Sequence, residues 1–564
     1  MHTPVTRPHA SVYYPYQVYP FHTPPELYGE QPHYPVVIVG AGPIGLTTAL
    51  ELARHGVASV VIEAEQQVCL GSRAIVFTRR SMEILQQAGV AGRMLEKAYP
   101  WRFGNSIYRG QRVFRLEAPH DADDRFEPLN NLQQQYLEQY LVERVQQEPL
   151  IELRWGTLVT GLQNRDDGVR LELDTPAGPY RLAADWLVAA DGARSTLRRL
   201  LDLRLEGDSY RGNFVIADIR IDLDWPTERL AYFDPDWNPG NTILMHRQPD
   251  HIWRLDYQLP EGETPEQALE PESLHTRIQA QLDMVGITAS WELDWCSVYS
   301  ARALTLPDYV HRRVLFTGDA AHLLPIFGVR GANTGLQDCH NMAWKLAFVI
   351  RGLAPEKLLA SYSHERVAAA REIIDEAGKS TRFMTPPTPG FRRVRDAVLS
   401  LSLQHEFVRP LYHWRTSRPH DYHDSPLNLP GPDEHTFRTG PAPGAPLQNI
   451  RLAADDYLLD HLGTGFCLLW FGMAFPDTLQ SALQELHEQG LPLRVIGIGM
   501  TDTTGVDQAL ADTEGHFAAR YDAGPGSAYL ARPDQHVCAR WRTLDAATLK
   551  HAIRHALGQG NQHG

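Results

Sequence analysis

The apolar residues that follow residue 34 form a strand, turn, helix, strand pattern. The run PVVIVG from Pro35 predicts a buried β-strand, AGPIGLTTALELARHG predicts a glycine turn leading into a helix, and ASVVIEAE predicts a second strand. A β-α-β unit of this length is typical of the start of a doubly wound, nucleotide-binding sheet. The sequence therefore predicts an α/β domain that begins near residue 35.

Two later regions change the pattern. Residues 208–302 alternate between apolar and polar positions, which indicates an inserted, mainly antiparallel sheet. After a linker rich in Pro, Gly and His, short apolar strands and a helical tail indicate a third, small α/β domain. The predicted organisation is an irregular arm (1–34), a discontinuous nucleotide-binding domain (35–207 and 303–430), the sheet domain (208–302) and a C-terminal domain (431–564).

The N-terminal 34 residues are rich in Pro and Tyr and show no periodicity. Aromatic rings are costly to leave in water, so we expect this segment to lie as an irregular arm on the body of the protein. The alternative is a segment that binds a partner through its exposed rings.

The charge and the cysteine content of the chain indicate which partners and which cellular compartment to expect. The chain has 53 Lys and Arg against 68 Asp and Glu, a net charge of −15, which opposes binding to nucleic acid or to an anionic membrane. Its five cysteines lack the spacing of a zinc site or a redox pair, and no metal site is predicted. The first residues lack the layout of a signal peptide, so we predict a cytoplasmic protein.

The first glycine turn has the spacing of a dinucleotide fingerprint. Gly40 would make the tight turn, Gly42 would let the backbone approach a diphosphate, and Gly45 would allow close packing of helix and strand. Glu63 ends the second strand, where a carboxylate accepts hydrogen bonds from ribose hydroxyls. This pattern predicts an adenine dinucleotide but does not distinguish FAD from NAD.

Two further strand-turn segments decide between these cofactors. Asp191-Gly192 follows the strand LVAA, and Gly318-Asp319-Ala-Ala-His322 follows VLFT. Asp-Gly alone is also a common turn pair. Asp319 would accept from ribityl or ribose hydroxyls, and the segment from Gly331 to Asn333 would begin a long helix whose N-terminus faces the flavin. Three segments that contact one cofactor in this order favour FAD over NAD.

The three segments, in this order, resemble the flavoprotein aromatic hydroxylases of the para-hydroxybenzoate hydroxylase superfamily. The chain is most similar to the single-component, phenol hydroxylase-like members with a C-terminal thioredoxin-like domain. The resemblance implies that Asp191 lies at a turn that serves FAD and NAD(P)H, that Asp319 binds FAD, and that Arg73 and Gln134 contact the cofactor. The cofactor-binding residues predicted in this way are Gly40, Gly42, Pro43, Ile44, Gly45, Glu63, Ala64, Arg73, Gln134, Asp191, Gly192, Gly318, Asp319, Pro325, Gly331, Ala332 and Asn333.

The resemblance also implies an activity. It predicts an NAD(P)H-dependent FAD monooxygenase that hydroxylates a small phenolic or other electron-rich aromatic substrate with O₂, through a C4a-hydroperoxyflavin, and it suggests a homodimer. The alternatives are a flavin enzyme on the same scaffold that does not hydroxylate, such as a reductase or oxidative tailoring enzyme, and a flavin-holding scaffold. Arg532-Pro533-Asp534 resembles a segment of the thioredoxin-like domain, which here lacks Cys-x-x-Cys, so a dimer or packing role is expected.

The segment PIFGVRG, from Pro325 to Gly331, departs from the Pro-Pro and Gly-Gly-Gln-Gly of many relatives. Arg330 would stabilise reduced flavin or meet an acidic substrate; the alternative is a surface-facing loop residue. On the inserted sheet, His246 and Tyr257 are the candidates for contact with a phenolic hydroxyl, and the alternative for both is a half-buried structural position. Together with Arg330 they are the predicted catalytic residues.

Overall fold

The computed structural model describes residues 1–325, 327–412 and 418–560, except for the side chains of residues 210 and 211. Ile326 of the segment PIFGVRG and residues 413–417 of the range 303–430 lie outside the described residues. The strands are β1 His33–Val39, β2 Ser59–Ile62, β3 Val76–Thr78, β4 Tyr99–Trp101, β5 Phe103–Tyr108, β6 Gln111–Glu117, β7 Leu129–Asn131, β8 Ile151–Arg154, β9 Leu158–Arg165, β10 Gly168–Thr175, β11 Gly178–Ala189, β12 Glu206–Ile221, β13 Arg229–Phe233, β14 Thr242–Gln248, β15 Ile252–Gln258, β16 Trp291–Thr305, β17 Val310–His311, β18 Val314–Phe316, β19 His322–Leu323, β20 Arg451–Ala453, β21 Asp456–Tyr457, β22 Phe466–Phe471, β23 Leu493–Ile498, β24 Gln508–Leu510, β25 Ala528–Ala531 and β26 Val537–Trp541. The helices are α1 Pro43–Arg54, α2 Arg79–Gln87, α3 Ala91–Lys97, α4 Gln134–Val145, α5 Thr196–Leu200, α6 Pro265–Ala268, α7 Pro271–Met284, α8 Gly331–Ile350, α9 Leu358–Met384, α10 Pro389–Ser402, α11 Asp477–Glu488, α12 His516–Arg520 and α13 Ala546–Ala556.

The first sheet has the strand order β17-β18-β11-β1-β2-β8. Strands β18, β11, β1, β2 and β8 run parallel, and β9 and β10 extend β11 as an antiparallel meander. The buried runs of β1 and β2 are apolar on both faces, as expected for parallel strands covered by helices on both sides. This arrangement confirms the predicted α/β class.

The second sheet has eight strands in the order β19-β16-β12-β15-β14-β13-β5-β6. All neighbours pair antiparallel except β13 and β5, which run parallel. The sheet takes in β5 and β6, which lie outside the predicted range 208–302. Pairing between β13 and a strand from a distant part of the chain leaves no mark in the alternation of either strand, so the sequence pattern did not reveal it.

The two faces of this second sheet have different neighbours. Helix α7 covers one face, where Leu274, Ile278 and Leu282 join an apolar cluster with Val215 and Leu255. The opposite face is turned toward the first domain, and side chains on this face contact the loop that follows β2. We call the two sides the helix-covered face and the cofactor-domain face.

The C-terminal domain is a five-stranded sheet of order β24-β23-β22-β25-β26, with α11 and α13 packed on it. Arg532 lies in this domain and donates from Nη1 to Oε1 of Glu365 in α9 at 2.5 Å. Lys345 in α8 donates to Oε2 of the same carboxylate at 2.6 Å, and all three side chains are fully buried. The domain is thus joined to the predicted nucleotide-binding domain through buried charges, while its thioredoxin-like classification stays a prediction.

The N-terminal arm packs on the body of the protein. Tyr14, Tyr16 and Tyr19 are buried, and the ring of Tyr19 stacks on that of Trp155 at 4.5 Å between centroids. In the described part of the chain, no helix is long and apolar enough to cross a membrane. The same residues bring no three His, Cys, Asp or Glu side chains together as metal ligands.

Candidate functional site

The turn after β1 leaves the start of α1 open to a ligand. Gly40 has a φ of 108°, and a Cβ there would lie 2.4 Å from the carbonyl oxygen of Ala190. A Cβ on Gly45 would lie 1.9 Å from the carbonyl oxygen of Gly40, whereas a Cβ on Gly42 would meet no heavy atom within 4 Å. The backbone N–H groups at the start of α1 can therefore receive a diphosphate, as the fingerprint predicts.

Glu63 directly follows β2 and ties two backbone segments together. Its carboxylate accepts from the N–H of Ala41 at 2.8 Å and from the N–H of Glu65 at 3.0 Å, and burial raises its pKa. Each carboxylate oxygen can accept a further hydrogen bond. Glu63 and its half-buried neighbour Ala64 thus lie beside the start of α1, where the predicted ribose contact would be made.

Asp191 follows β11, and among the described residues only one of its oxygens accepts a hydrogen bond. Oδ2 accepts from the N–H of Leu197 at 3.0 Å. Oδ1 is buried and has no hydrogen-bond partner among the described residues, and burial raises the pKa of the carboxyl. Buried polar atoms are rarely left without a partner, so this oxygen and the open space beside Gly192 fit a bound polar group.

The third segment is held by a carboxylate that the sequence analysis missed. Oδ2 of Asp338 in α8 accepts from the N–H of Gly318 at 3.1 Å and lies 2.7 Å from Nε2 of His322. Arg366 donates to Oδ1 at 2.6 Å. Burial alone would raise the pKa of Asp338, but Arg366 and His322 outweigh it and hold the pKa below its usual value. His322 is therefore a structural partner of Asp338.

Asp319 stands where the three segments converge. Its side chain is exposed, whereas Gly318 and Ala320 on either side are buried. The surrounding protein raises the pKa of Asp319, and the charges of His322, Arg73 and Arg198 oppose that rise. The positive charge of Arg73, in the loop after β2, therefore acts on Asp319, in the turn after β18.

Two residues that are predicted to contact the cofactor, Gln134 and Asn333, hold the protein backbone. Oε1 of Gln134 accepts from the N–H of Ala74 at 2.9 Å, and its Nε2 donates to Glu138 at 2.8 Å. Asn333 accepts from the N–H of Thr78 at 2.9 Å and donates to the carbonyl of Val76. These amides position the loop that carries Arg73 and the start of α8.

Arg330 lies immediately before α8 and is only 5% exposed. Its Nε donates to the carbonyl of Phe327 at 3.4 Å. The surface-facing alternative for Arg330 is therefore wrong, because the turn folds back into the protein. Pro325 is also buried, and at Gly331 a Cβ would meet no atom within 4 Å, which leaves the first turn of α8 open beside half-buried Ala332.

The register of the second sheet separates His246 from Tyr257. His246 pairs with Arg254 of β15, so both side chains lie on the cofactor-domain face. Tyr257 pairs with Ile243 and points to the helix-covered face, where its ring contacts Trp237 edge to face. Because successive side chains of a strand alternate between faces, Tyr257 and His246 do not share a face, and this arrangement gives no support to a substrate contact by Tyr257.

His246 is a neutral imidazole in a polar cluster on the cofactor-domain face. Nε2 lies 4.0 Å from Oδ2 of Asp256, and Nδ1 is buried with no hydrogen-bond partner among the described residues. Burial lowers the pKa of His246 well below its usual value, and the charges of Arg229 and Arg254 lower it further. Burial also raises the pKa of Asp256 to about 6. The imidazole therefore stays neutral and can accept a hydrogen bond at Nδ1.

Arg254 connects this face to the loop after β2 that carries Arg73, and the sequence analysis did not select it. It donates from Nε to Asp218 at 2.9 Å, from Nη1 to the carbonyl of Arg73 at 3.0 Å and from Nη2 to Ser72 at 2.7 Å. A charged residue between Trp253 and Leu255 in a buried strand is the one signal that would have found it.

An aromatic cluster adjoins the polar one on the same face. Phe327, from the segment before α8, meets Phe214 of β12 edge to face at 5.4 Å, and Tyr299 stacks on Phe214 at 5.6 Å. Leu244, two residues before His246, belongs to the same cluster. The start of α8 and the sheet thus meet at a wall that has an apolar half and a polar half, which suits an aromatic ring bearing polar groups.

The chain is similar to flavin enzymes along most of its length. The sequence profile of a family described as FAD binding domain matches residues 33–377, more than half of the chain. Two relatives are named 3-(3-hydroxy-phenyl)propionate/3-hydroxycinnamic acid hydroxylase: that of Mycolicibacterium smegmatis is 27% identical over 94% of both chains, and that of Paraburkholderia xenovorans is 30% identical over 64% of this chain and 58% of its own.

Two solved structures share the fold. One is the flavin-dependent monooxygenase PieE in complex with FAD and substrate, with a TM-score of 0.80, 24% identity and coverage of 94% of this chain and 99% of that one. The other is a ternary complex of aklavinone-11 hydroxylase with FAD and aklavinone, with a TM-score of 0.75, 26% identity and coverage of 94% and 100%.

Proposed function

The chain belongs to the family of FAD binding domain proteins, and from this premise we propose that it is an FAD monooxygenase that uses NAD(P)H and O₂ to hydroxylate a phenolic ring. The observation that carries the proposal is the convergence of the three nucleotide-binding segments beside the wall that contains His246. Bound FAD would supply the acceptance of hydride from NAD(P)H and the activation of O₂. The protein must hold the cofactor, place the ring and exclude water.

Residues of the three segments would hold the cofactor. The N–H groups at the start of α1 would receive the diphosphate, and Glu63 and Asp319 would accept from sugar or ribityl hydroxyls. Asp191 would engage the cofactor through the oxygen that no described residue contacts. Arg73 would add a positive charge near Asp319, and Arg254 would fix its loop by binding its carbonyl.

His246 would act on the phenol. A neutral imidazole whose Nδ1 lacks a partner within the described residues can accept the phenolic hydrogen bond and favour the electron-rich phenolate. The aromatic cluster around Phe214 and Phe327 would keep water from the reacting ring. Arg229 of β13 lies opposite His246 of β14, and burial lowers its pKa to about 10. Its guanidinium would bind a carboxylate on the substrate.

These features favour a phenol that carries a carboxylate, the class named for the two relatives. The alternative, a flavin enzyme that does not hydroxylate, makes no use of the acceptor at His246. The test is purified protein loaded with FAD and given 3-(3-hydroxyphenyl)propionate or its neutral counterpart 3-propylphenol. We expect substrate-stimulated NAD(P)H and O₂ consumption with incorporation of ¹⁸O into product, more efficient with the acid. NAD(P)H oxidation without labelled product from any phenol would contradict the proposal.

The homodimer, the cytoplasmic location and the domain boundaries stay predictions. Light scattering of the purified protein tests the first of these.

A further inference from the structure

The N-terminal arm follows one stretch of backbone, the residues between Glu63 and Arg73. His2 lies with Nε2 2.7 Å from the carbonyl oxygen of Ala64. The N–H of His9 donates to Gln67 at 2.9 Å, and the N–H of Tyr19 donates to the carbonyl of Gln66 at 2.7 Å. We call residues 64–73 the cofactor loop, since Glu63 precedes it and Arg73 ends it.

Tyr16 makes the contact nearest to Arg73. Its hydroxyl donates to the carbonyl of Cys69 at 3.2 Å and accepts from the N–H of Gly71 at 2.9 Å. The side chain is 7% exposed, so these backbone groups have exchanged water for the tyrosine hydroxyl. The hydroxyl therefore spans the last turn of the cofactor loop before Ser72 and Arg73.

The same arm is bound to the second sheet. Oδ1 of Asp294 in β16 accepts from the hydroxyl of Ser11 and from the N–H of Val12, both at 2.6 Å. Arg220 of β12 donates to the carbonyl of Val12 at 2.8 Å. The arm thus links the cofactor loop to strands β12 and β16 of the second sheet. Other strands of this sheet carry His246 and Arg254.

The cofactor loop also packs directly on this strand. Gly71 has a φ of 73°, and a Cβ there would lie 2.2 Å from the indole of Trp295, the neighbour of Asp294. Loop, strand and arm therefore meet at one junction, and no side chain larger than hydrogen fits at position 71. The family match begins at residue 33, so the arm precedes the part of the chain that the family shares.

We propose that the N-terminal arm holds the cofactor loop in its FAD-binding position, with Tyr16 as the positioning residue. The inference rests on the proposed function, because it takes Arg73 and Glu63 as neighbours of FAD. The arm would act by fixing Cys69 and Gly71, and through them Arg73. Loss of this support would raise the dissociation constant for FAD more than it lowers the stability of the apoprotein.

The test compares Tyr16→Phe with Tyr28→Phe, a control in the same arm whose side chain is 76% exposed. Apoprotein is titrated with FAD by flavin fluorescence, and the Tm of each apoprotein is recorded. We expect Tyr16→Phe to weaken FAD binding about tenfold, while the Tm of its apoprotein falls only slightly. Tyr28→Phe should match the wild type in both. A chain lacking residues 2–20 should show a larger loss of FAD affinity.

Two outcomes would overturn the inference. Tyr16→Phe could bind FAD as tightly as Tyr28→Phe, or its Tm could fall while its affinity for FAD is unchanged, which would make the arm a purely stabilising segment. Wild-type protein that binds FAD and hydroxylates would in either case leave the proposed function standing. Wild-type protein that binds no FAD would defeat both.

Discussion

Arg254 and Asp218 form an ion pair at the seam between the second sheet and the cofactor loop, with Nε 2.9 Å from Oδ1 and both side chains almost fully buried. The hydroxyl of Ser72 also donates to Asp218, and Arg254 binds the carbonyl of Arg73. The pair therefore joins the wall that would face the substrate to the loop that would face FAD.

Replacing one partner of this pair should cost more than replacing both. Arg254→Met leaves the Asp218 carboxylate buried without its cation and should lower the free energy of unfolding by about 3–5 kcal/mol. The double variant Arg254→Met/Asp218→Leu removes both charges and should recover most of that loss. Urea unfolding of the apoproteins measures the three values. A double variant that is no more stable than Arg254→Met would contradict this expectation.

Asp256 should make stability depend on pH. Burial raises its folded pKa to about 6, whereas an unfolded Asp has a pKa of about 3.9. The folded state therefore binds the extra proton between these values, and its contribution to stability, greatest below about pH 4, is lost as the pH rises through about 6. The amide in Asp256→Asn does not titrate, so its stability relative to the wild type should rise by about 2–3 kcal/mol between about pH 4 and pH 7.5. A difference in stability between Asp256→Asn and the wild type that stays constant over this pH range would contradict the raised pKa of Asp256.

His246→Ala should separate the two half-reactions. Without the acceptor at Nδ1, hydroxylation of a phenol should slow by about 100-fold, whereas reduction of the flavin by NAD(P)H in the absence of substrate should change little. Stopped-flow absorbance follows both steps. Tyr257→Phe, on the helix-covered face, is the matched control and should leave both rates near those of the wild type. Equal slowing of both steps by His246→Ala would count against a substrate role.

Asp319→Ala should release the cofactor. A carboxylate that accepts from a hydroxyl of the cofactor contributes roughly 1.5–3 kcal/mol, so the dissociation constant for FAD should rise about 10- to 100-fold. Asp166→Ala, with a side chain 92% exposed, is the control and should bind FAD normally. Flavin content after gel filtration and a fluorescence titration measure FAD binding. If Asp319→Ala binds FAD with wild-type affinity, the proposed contact between Asp319 and FAD is wrong.

Local chemistry explains which parts of this site could be predicted. The turns at Gly40 and Gly318 depend on neighbours a few residues away, so their spacing alone indicated the nucleotide-binding segments. The face of the sheet that carries His246 depends on the pairing of β14 with β15 and on what covers each side, which alternation does not reveal. The role of Asp338 was hidden because it joins the third segment, at Gly318 and His322, to Arg366 of α9, and the spacing of residues in the chain does not reveal such a contact.

The buried contacts of Arg532 bear on how this protein can be divided. A chain cut near residue 430 would remove the hydrogen bonds that Arg532 donates to the buried Glu365 carboxylate. The released domain would expose Arg532 and Asp534, which α8 and α9 had covered. Neither piece is expected to stay soluble alone. Swapping this domain with that of a relative would succeed only if the residues facing Arg532 were exchanged together with it.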